Sequence, residues 1–463
     1  MTAARLIALA LLVVAPGLAF AAANRPAAAK PANVIVIYCD DLGYGDLGSY
    51  GHPSIRTPHL DRMATEGIRF TDFYSGAEVC TPSRAALLTG RYALRSGMAG
   101  GRRVLFPNSP GGLPPAELTL AEALRDRGYA TAHIGKWHLG IHAGSRPQDQ
   151  GFDFSFGLPY SNDMDARADL PRGSAMSPTP PADGWNVPLI RNGEIIEQPA
   201  NQTTLTQRYT NESLRFIRES RAAGKPFFLY LAHTMPHVPL FASPEQKGRS
   251  PRGIYGDTVE EIDTSTGRIL DALRDAGLAG DTLVIFSSDN GPWLTQGLQG
   301  GSAGLLREGK GSTWEGGMRV PALAWMPGRI APAVVRQPAS VLDLFPTALA
   351  LAGATAPEGL AFDGRDLGPV LFEGKERPDA PFFYYRGTQI FACRLGKWKM
   401  HTRTQGGYGD PRPVVHETPL LFNLEVDPSE TTNVASDHPD VVAAIVAATE
   451  AHQATVVAVP TQL

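Results

Sequence analysis

The chain has 463 residues, 43% hydrophobic and 19% charged, with a formal net charge of −4. That length holds a large core and two or three domains, the composition is globular, and the weakly acidic balance excludes the basic surface that nucleic-acid binding requires. Three cysteines, Cys39, Cys80 and Cys393, exclude a disulfide scaffold: at most one pair can form, and one thiol is left over.

In chain order, Arg5 precedes an apolar run over residues 6–14, a Pro16-Gly17 break and an Ala19-Phe20-Ala21 site. This reads as a signal peptide over residues 1–21, because the run is shorter than the ~20 residues of a spanning helix. The mature chain is therefore expected outside the cytoplasm with no membrane span, after an Ala/Pro-rich linker over residues 22–32. Residues 33–38 form a β-branched run, best read as a buried strand, which ends at once in Cys39-Asp40-Asp41. Three more apolar runs repeat the pattern: 131–134 before Lys136 and His138, 227–232 before His233 and His237, and 282–286 before Asp289 and Asn290. Helical spacing over 60–64, 120–127, 209–220 and 259–276 alternates with these strands. The expectation is an α/β fold, a large, mostly parallel sheet flanked by helices. Ligands bind beyond the carboxyl ends of such strands, so the four strands describe one site. Residues 167–183 read as a surface loop. After about residue 375 short strands follow one another at 382–385, 390–395, 397–402 and 419–424, and a helix spans 439–453. The division is therefore a catalytic domain over 33–375 and a smaller C-terminal antiparallel domain over 376–463.

Asp40-Asp41 and Asp289-Asn290 offer oxygen ligands for a hard divalent cation. Taken singly, each pair also fits a turn or cap. Cys80, taken alone, fits a small buried hydrophobe, and Pro82-Ser83 fits a helix start. The whole string Cys80-Thr81-Pro82-Ser83-Arg84-Ala85-Ala86-Leu87-Leu88-Thr89-Gly90-Arg91 goes further. It resembles the sulfatase signature, Cys-x-Pro-Ser-Arg followed by Leu-Thr-Gly-Arg. The resemblance runs from about residue 33 to 433, through Asp40-Asp41-Leu42-Gly43, Gly135-Lys136-Trp137-His138, Pro159-Tyr160-Ser161, Ser288-Asp289-Asn290-Gly291 and Gly309-Lys310-Gly311. Within the family it is similar to the arylsulfatase A and N-acetylgalactosamine-6-sulfatase branch, on an alkaline-phosphatase-like fold.

The resemblance implies that a formylglycine-generating enzyme oxidises Cys80 to formylglycine, and that Asp40, Asp41, Asp289, Asn290 and the modified Cys80 bind calcium. It implies that Arg84, Lys136 and His138 serve the nucleophile, with Ser161 in the pocket, and that His237 and Lys310 contact the sulfate ester. His237, rather than His233, is aligned with the sulfate-contacting histidine. The chemistry is consistent: cations lower the repulsion between an anionic ester and a nucleophile. An aldehyde hydrate offers one hydroxyl to attack sulfur and a second to expel sulfate. Asp289 would take the proton of the attacking hydroxyl, His138 that of the second, and His237 with Lys310 would serve the leaving oxygen. The substrate class is an aryl, lipid or sugar sulfate. Formylglycine-dependent phosphonate monoester and phosphodiester hydrolases share the cysteine motif, but the contexts of Lys136, His138 and Lys310 favour sulfate. A non-catalytic binder of sulfated glycans is a third reading, disfavoured because every catalytic residue is present. The short signal and few cysteines favour a periplasmic location over secretion, or a lysosome in a eukaryote. Relatives self-associate, which leaves a homo-oligomer open.

Overall fold

Strand β1 (Asn33–Cys39) is buried along its whole length, which explains its unbroken apolar run: a central parallel strand is covered on both faces. Its side chains alternate between two cores. Val34, Val36 and Tyr38 enter one; Ile35, Ile37 and Cys39 enter the other, as the two-residue period of a strand requires. The computed structural model describes residues 31–463 apart from 409, 411 and 458. The signal-peptide reading, and the linker reading up to residue 30, lie outside the described residues.

The remaining elements follow in chain order: α1 (Pro58–Glu66), β2 (Ile68–Tyr74), α2 (Cys80–Thr89), α3 (Leu120–Arg125), β3 (Ala130–Gly135), β4 (Phe154–Gly157), β5 (Leu189–Arg191), β6 (Glu194–Glu197), α4 (Leu205–Ala222), β7 (Phe227–Ala232), α5 (Ile254–Asp275), β8 (Thr282–Ser288), α6 (Glu315–Met318), β9 (Arg319–Trp325), β10 (Ala333–Val335), β11 (Ala339–Ser340), α7 (Leu344–Leu351) and α8 (Gly368–Glu373). The large sheet has the order β10-β2-β9-β8-β1-β7-β3-β4-β5-β6, with β11 beside β2. Its centre, β8-β1-β7-β3-β4, is parallel, while β9, β5 and β6 pair antiparallel. Helices α2, α3 and α7 cover one face through Leu87, Leu124 and Phe345. Helices α1, α4 and α5 cover the other through Leu60, Tyr209 and Ile262. Strand β3 ends against β7 so closely that only glycine fits: a Cβ on Gly135, at φ 118°, would lie 1.8 Å from the Ala232 carbonyl oxygen. Segment 167–183 carries only one 3-10 turn, Ser174–Met176.

The second sheet is β12 (Phe382–Arg386), β13 (Gln389–Leu395), β14 (Trp398–Thr404) and β15 (Val414–Asn423), antiparallel in that order. Helix α9 (Pro439–Gln453) closes it, sharing one core with Tyr74, Met318 and Leu342 of the first sheet's surroundings. Residues from Pro31 onward form one compact unit. Among the described residues no helix is long and apolar enough to cross a membrane. All three cysteines are free and buried; Cys39 sits on β1 and Cys393 on β13.

His133, on β3, is buried between Trp137, Phe152 and Tyr230. Burial pushes its pKa down to about 3. A folded pKa below the unfolded value of ~6.5 means that its contribution is complete above that pH and is lost as pH falls toward 3. His133→Phe should therefore lose about 2 kcal/mol less stability than the parent between pH 7 and 5. Urea unfolding at the two pH values checks this, and parallel losses would show that His133 does not titrate with unfolding.

Candidate active site

The C-terminal ends of β1, β7, β3 and β8 lie on one edge of the sheet, because these strands are parallel neighbours. Each end delivers the polar pair that follows it, and α2 delivers Cys80 as its first residue. The Cys80 thiol lies 3.3 Å from Asp40 Oδ1. Ligand atoms of Asp40, Asp41, Cys80 and His237 all fall within 4.8 Å of one another, and all four residues are buried.

Arg84, one turn further along α2, donates from Nε and Nη2 to Asp289 Oδ2 at 3.0 and 2.8 Å, and from Nη1 to the Lys136 carbonyl at 2.9 Å. Lys136 Nζ pairs with Asp40 Oδ2 at 2.5 Å and donates to Ser161 Oγ at 3.1 Å. Lys310 Nζ pairs with Asp41 Oδ1 at 2.7 Å. Asn290 Nδ2 donates to Asp41 Oδ1 at 2.7 Å, while its Oδ1 is buried without a partner. His237 Nε2 lies 3.5 Å from Asp41 Oδ2. His233 points elsewhere, toward Ser265 Oγ at 3.4 Å and the Tyr209 ring. Of the two histidines after β7, His237 is the one in the cluster.

His138 is fixed in one tautomer. Its Nε2 faces the Leu105 carbonyl at 2.8 Å, and a carbonyl can only accept, so Nε2 carries the hydrogen. Nδ1 keeps a free lone pair and has no partner. Burial and the neighbouring Lys136 charge hold the ring well below the usual histidine range, so it is neutral. His138 and Asp41 both have left-handed backbones, at φ 60° and 65°. Such conformations in non-glycine residues concentrate at functional sites.

Electrostatics set Asp40 and Asp289 apart. Burial works to raise Asp40, but Lys136, His237 and Arg84 hold it well below the carboxylate range. Asp289 goes the other way, pushed up to about 7 by burial and the Asp40 charge against the pull of Arg84. Crowded carboxylates that disfavour each other's ionisation are the setting a divalent cation relieves. Three carboxylates and the orphaned Asn290 Oδ1 form an oxygen donor set that fits a hard cation such as calcium.

The residues assigned to the site from the sequence, Asp40, Asp41, Cys80, Arg84, Lys136, His138, Ser161, His237, Asp289, Asn290 and Lys310, are all buried, and the contacts above draw them together. The sequence reading missed the residues around the mouth. Trp293 lies 5.3 Å from the His237 ring, 5.1 Å from the Tyr408 ring, and 4.5 Å from Lys310 Nζ, measured to its ring centroid. Arg103 stacks on Tyr408 and pairs with Glu78 at 3.0 Å. Trp293 follows Asp289-Asn290-Gly291-Pro292 directly and could have been found by its neighbours. Tyr408, in the glycine-rich Gly406-Gly407-Tyr408 stretch, carries no periodic signal.

Residues 32–354 match the sulfatase family model, and residues 377–463 match the model for the C-terminal region of aryl-sulfatase. The chain belongs to the sulfatase family. Arylsulfatase A of Bos taurus is 45% identical over 443 residues, covering 90% of this chain and 86% of the relative. N-acetylgalactosamine-6-sulfatase of Canis lupus familiaris is 40% identical over 488 residues, covering 96% and 90%. The crystal structure of PsFucS1 sulfatase from Pseudoalteromonas sp. superimposes with a TM-score of 0.81 at 30% identity, covering 92% of this chain and 90% of that one. This sulfatase is accordingly a sulfuric ester hydrolase of arylsulfatase type, on the mixed sheet and small antiparallel sheet described above.

Proposed function

We propose that this sulfatase acts through formylglycine made from Cys80, with a calcium ion held by Asp40, Asp41, Asp289, Asn290 and the modified side chain. The observation that carries the reading is the convergence on Cys80 of three acids, three cations and a neutral histidine from separate strand ends and loops. The thiol itself argues for modification. Burial, Asp289 and Asp40 push its pKa well above the usual range, and a protonated thiol is a poor nucleophile.

Formylglycine supplies, as its hydrate, two hydroxyls on one carbon, one to attack sulfur and one to release sulfate. Calcium supplies positive charge beside the anionic ester. The chain's own residues do the rest. The N-terminus of α2 directs its positive end at the reacting centre. Lys136 and Lys310 stay charged: burial works against them, but Asp40 and Asp41 more than offset it. Arg84 fixes Asp289 Oδ2 with two hydrogen bonds and the Asp41 backbone N–H donates to Oδ1 at 3.2 Å, which orients the carboxylate to take the proton of the attacking hydroxyl through the remaining lone pair of Oδ1. Ser161 holds Lys136 in place. His138 Nδ1, with its free lone pair, takes the proton of the second hydroxyl. His237 and Lys310 serve the leaving oxygen, His237 being oriented by the Val238 carbonyl at Nδ1. The division into domains over 33–375 and 376–463, export by the signal peptide to the periplasm or beyond, and maturation by a formylglycine-generating enzyme complete the reading.

The test uses protein coproduced with a formylglycine-generating enzyme, with Cys80→Ala as control. 4-Nitrophenyl sulfate, 4-nitrophenyl phosphate and bis(4-nitrophenyl) phosphate are compared, with and without EDTA. Fast, Cys80-dependent sulfate release that EDTA abolishes and calcium restores is the expected result. Faster diester cleavage would place the chain with phosphonate and phosphodiester hydrolases. Aldehyde-bearing protein that turns over none of these esters would point to a binder of sulfated glycans.

A further inference from the structure

Beside the buried cluster lies an open cavity of about 330 Å³, whose lining includes Trp293, Glu308, Lys310, Tyr408 and Asp410. Lys310 joins the two: it lines the cavity and its Nζ holds Asp41. The cavity therefore begins where the bond to the leaving oxygen would break. Trp293 and Tyr408 meet with ring centroids 5.1 Å apart and planes at 42°, making an apolar corner. Such a corner receives the flat face of a ring. The opposite character comes from Glu308 and Asp410. Both are exposed, and among the described residues each side chain accepts a backbone N–H alone, from Gly407 and Gly406 respectively. Among the described residues neither has a lysine or arginine within ion-pair distance. Of the nearby cations, Arg103 is paired with Glu78 and Lys310 with Asp41, while Arg386 donates to the Gly311 carbonyl and lies within the field of Asp410 without an ion pair to it.

The deep cluster thus attracts an anion, while the next chamber outward presents two exposed carboxylates that stand in no ion pair among the described residues. We propose that this cavity binds the alcohol portion of the sulfate ester and selects ring alcohols that carry no second negative charge. The inference rests on the sulfatase reading, and it assigns Trp293 and Tyr408 to ring binding and Glu308 and Asp410 to charge selection. A carboxylate, or a second sulfate, on the leaving group would face two like charges. Hydroxyl or amino substituents would find acceptors there instead. Tyr408 belongs to the β14–β15 connection, so the C-terminal sheet would supply substrate selection to a reacting centre built on the large sheet.

The test uses aryl sulfates that differ only in the para substituent: a carboxamide and a carboxylate. The formylglycine-bearing enzyme should show kcat/KM about tenfold higher for the carboxamide, with the preference shrinking as salt rises. The double variant Glu308→Gln/Asp410→Asn should bring the two esters within about twofold of each other. Tyr408→Ala should raise KM for the carboxamide ester about tenfold with a smaller change in kcat. Equal kcat/KM for the two esters in the parent enzyme, or an unchanged ratio in the double variant, would overturn charge selection at this cavity. An unchanged KM in Tyr408→Ala would overturn ring binding. Neither result touches the sulfatase reading, which is tested separately by hydrolysis of 4-nitrophenyl sulfate against the phosphate esters with aldehyde-bearing protein.

Discussion

Replacing Cys80 by serine should stop turnover after a single event, with steady-state kcat reduced on the order of 10⁴-fold or more. The argument is about the number of hydroxyls on one carbon. The serine oxygen would occupy the place of the Cys80 sulfur, 3.3 Å from Asp40 Oδ1 and within the same ring of cations, so one transfer of sulfate from the ester remains feasible. Release is then blocked. A serine sulfate has no second hydroxyl on that carbon, so His138 Nδ1 has no proton to remove, and sulfate can leave only if water attacks sulfur. The measurement is pre-steady-state release of 4-nitrophenol, with mass spectrometry of the protein afterwards. One equivalent of nitrophenol and a gain of one sulfo group are expected. Steady turnover near the parent rate would sink the formylglycine reading. Cys80→Ala, lacking any oxygen, should show neither burst nor mass gain, which separates a stalled enzyme from a misfolded one.

Part of the site was legible from strand ends, which carry the acids, Lys136 and the histidines, while Cys80, Arg84, Ser161 and Lys310 were legible only through the resemblance of their motifs to the sulfatase family. Short apolar runs at residues 33–38, 131–134, 227–232 and 282–286 are buried on both faces, so they read as strands without ambiguity, and the polar residues after them had to share an edge. His237 could be preferred to His233, and the structure places His237 Nε2 3.5 Å from Asp41 while His233 turns to Ser265. Less was legible where contact rather than period decides structure. Strands β2 and β9 were not singled out: β2 (Ile68–Tyr74) carries Arg69 and Asp72 inside its run, and Asp72 is tolerated only because Arg319 and Arg394 pair with it across the sheets. The short β4, β5, β6, β10 and β11 hold too few residues for an alternation to show. The expected helix over 120–127 ends at Arg125, before the tight turn to Gly128. The cavity wall formed by Trp293 and Tyr408 joins residues more than a hundred positions apart, and no local pattern announces such a pair.

The same distance in sequence governs stability, and Lys399→Met should cost about 3–5 kcal/mol. Lys399 Nζ is fully buried and donates to the Thr313 carbonyl and Glu315 Oε1, both at 2.9 Å, and lies 3.0 Å from Glu430 Oε1. Methionine keeps the length and apolar stem of lysine, so packing is nearly preserved and the lost charge dominates. Two buried carboxylates would then share fewer compensating groups: Arg319 and the Tyr74 and Tyr384 hydroxyls on Glu315, and His401 on Glu430. Burial works to raise the Glu315 pKa, but Lys399, Arg319 and Arg394 hold it well below the usual range. A depressed carboxylate contributes stability that is present above its unfolded value of ~4.3 and lost as pH falls below it. The gap between parent and variant should therefore be widest near pH 7 and narrow below about pH 4, as urea unfolding at both values would show. Lys399→Met combined with Glu315→Gln should recover part of the loss, because the pair shares one interaction. A variant within about 0.5 kcal/mol of the parent at pH 7 would mean that Arg319 and Arg394 alone neutralise Glu315. The consequence reaches the reacting centre by a short path. Lys399 anchors the Thr313 carbonyl, three residues after Lys310. Loosening that anchor frees the turn that points Lys310 at Asp41, so the variant should lose sulfate-ester turnover at temperatures below its unfolding midpoint.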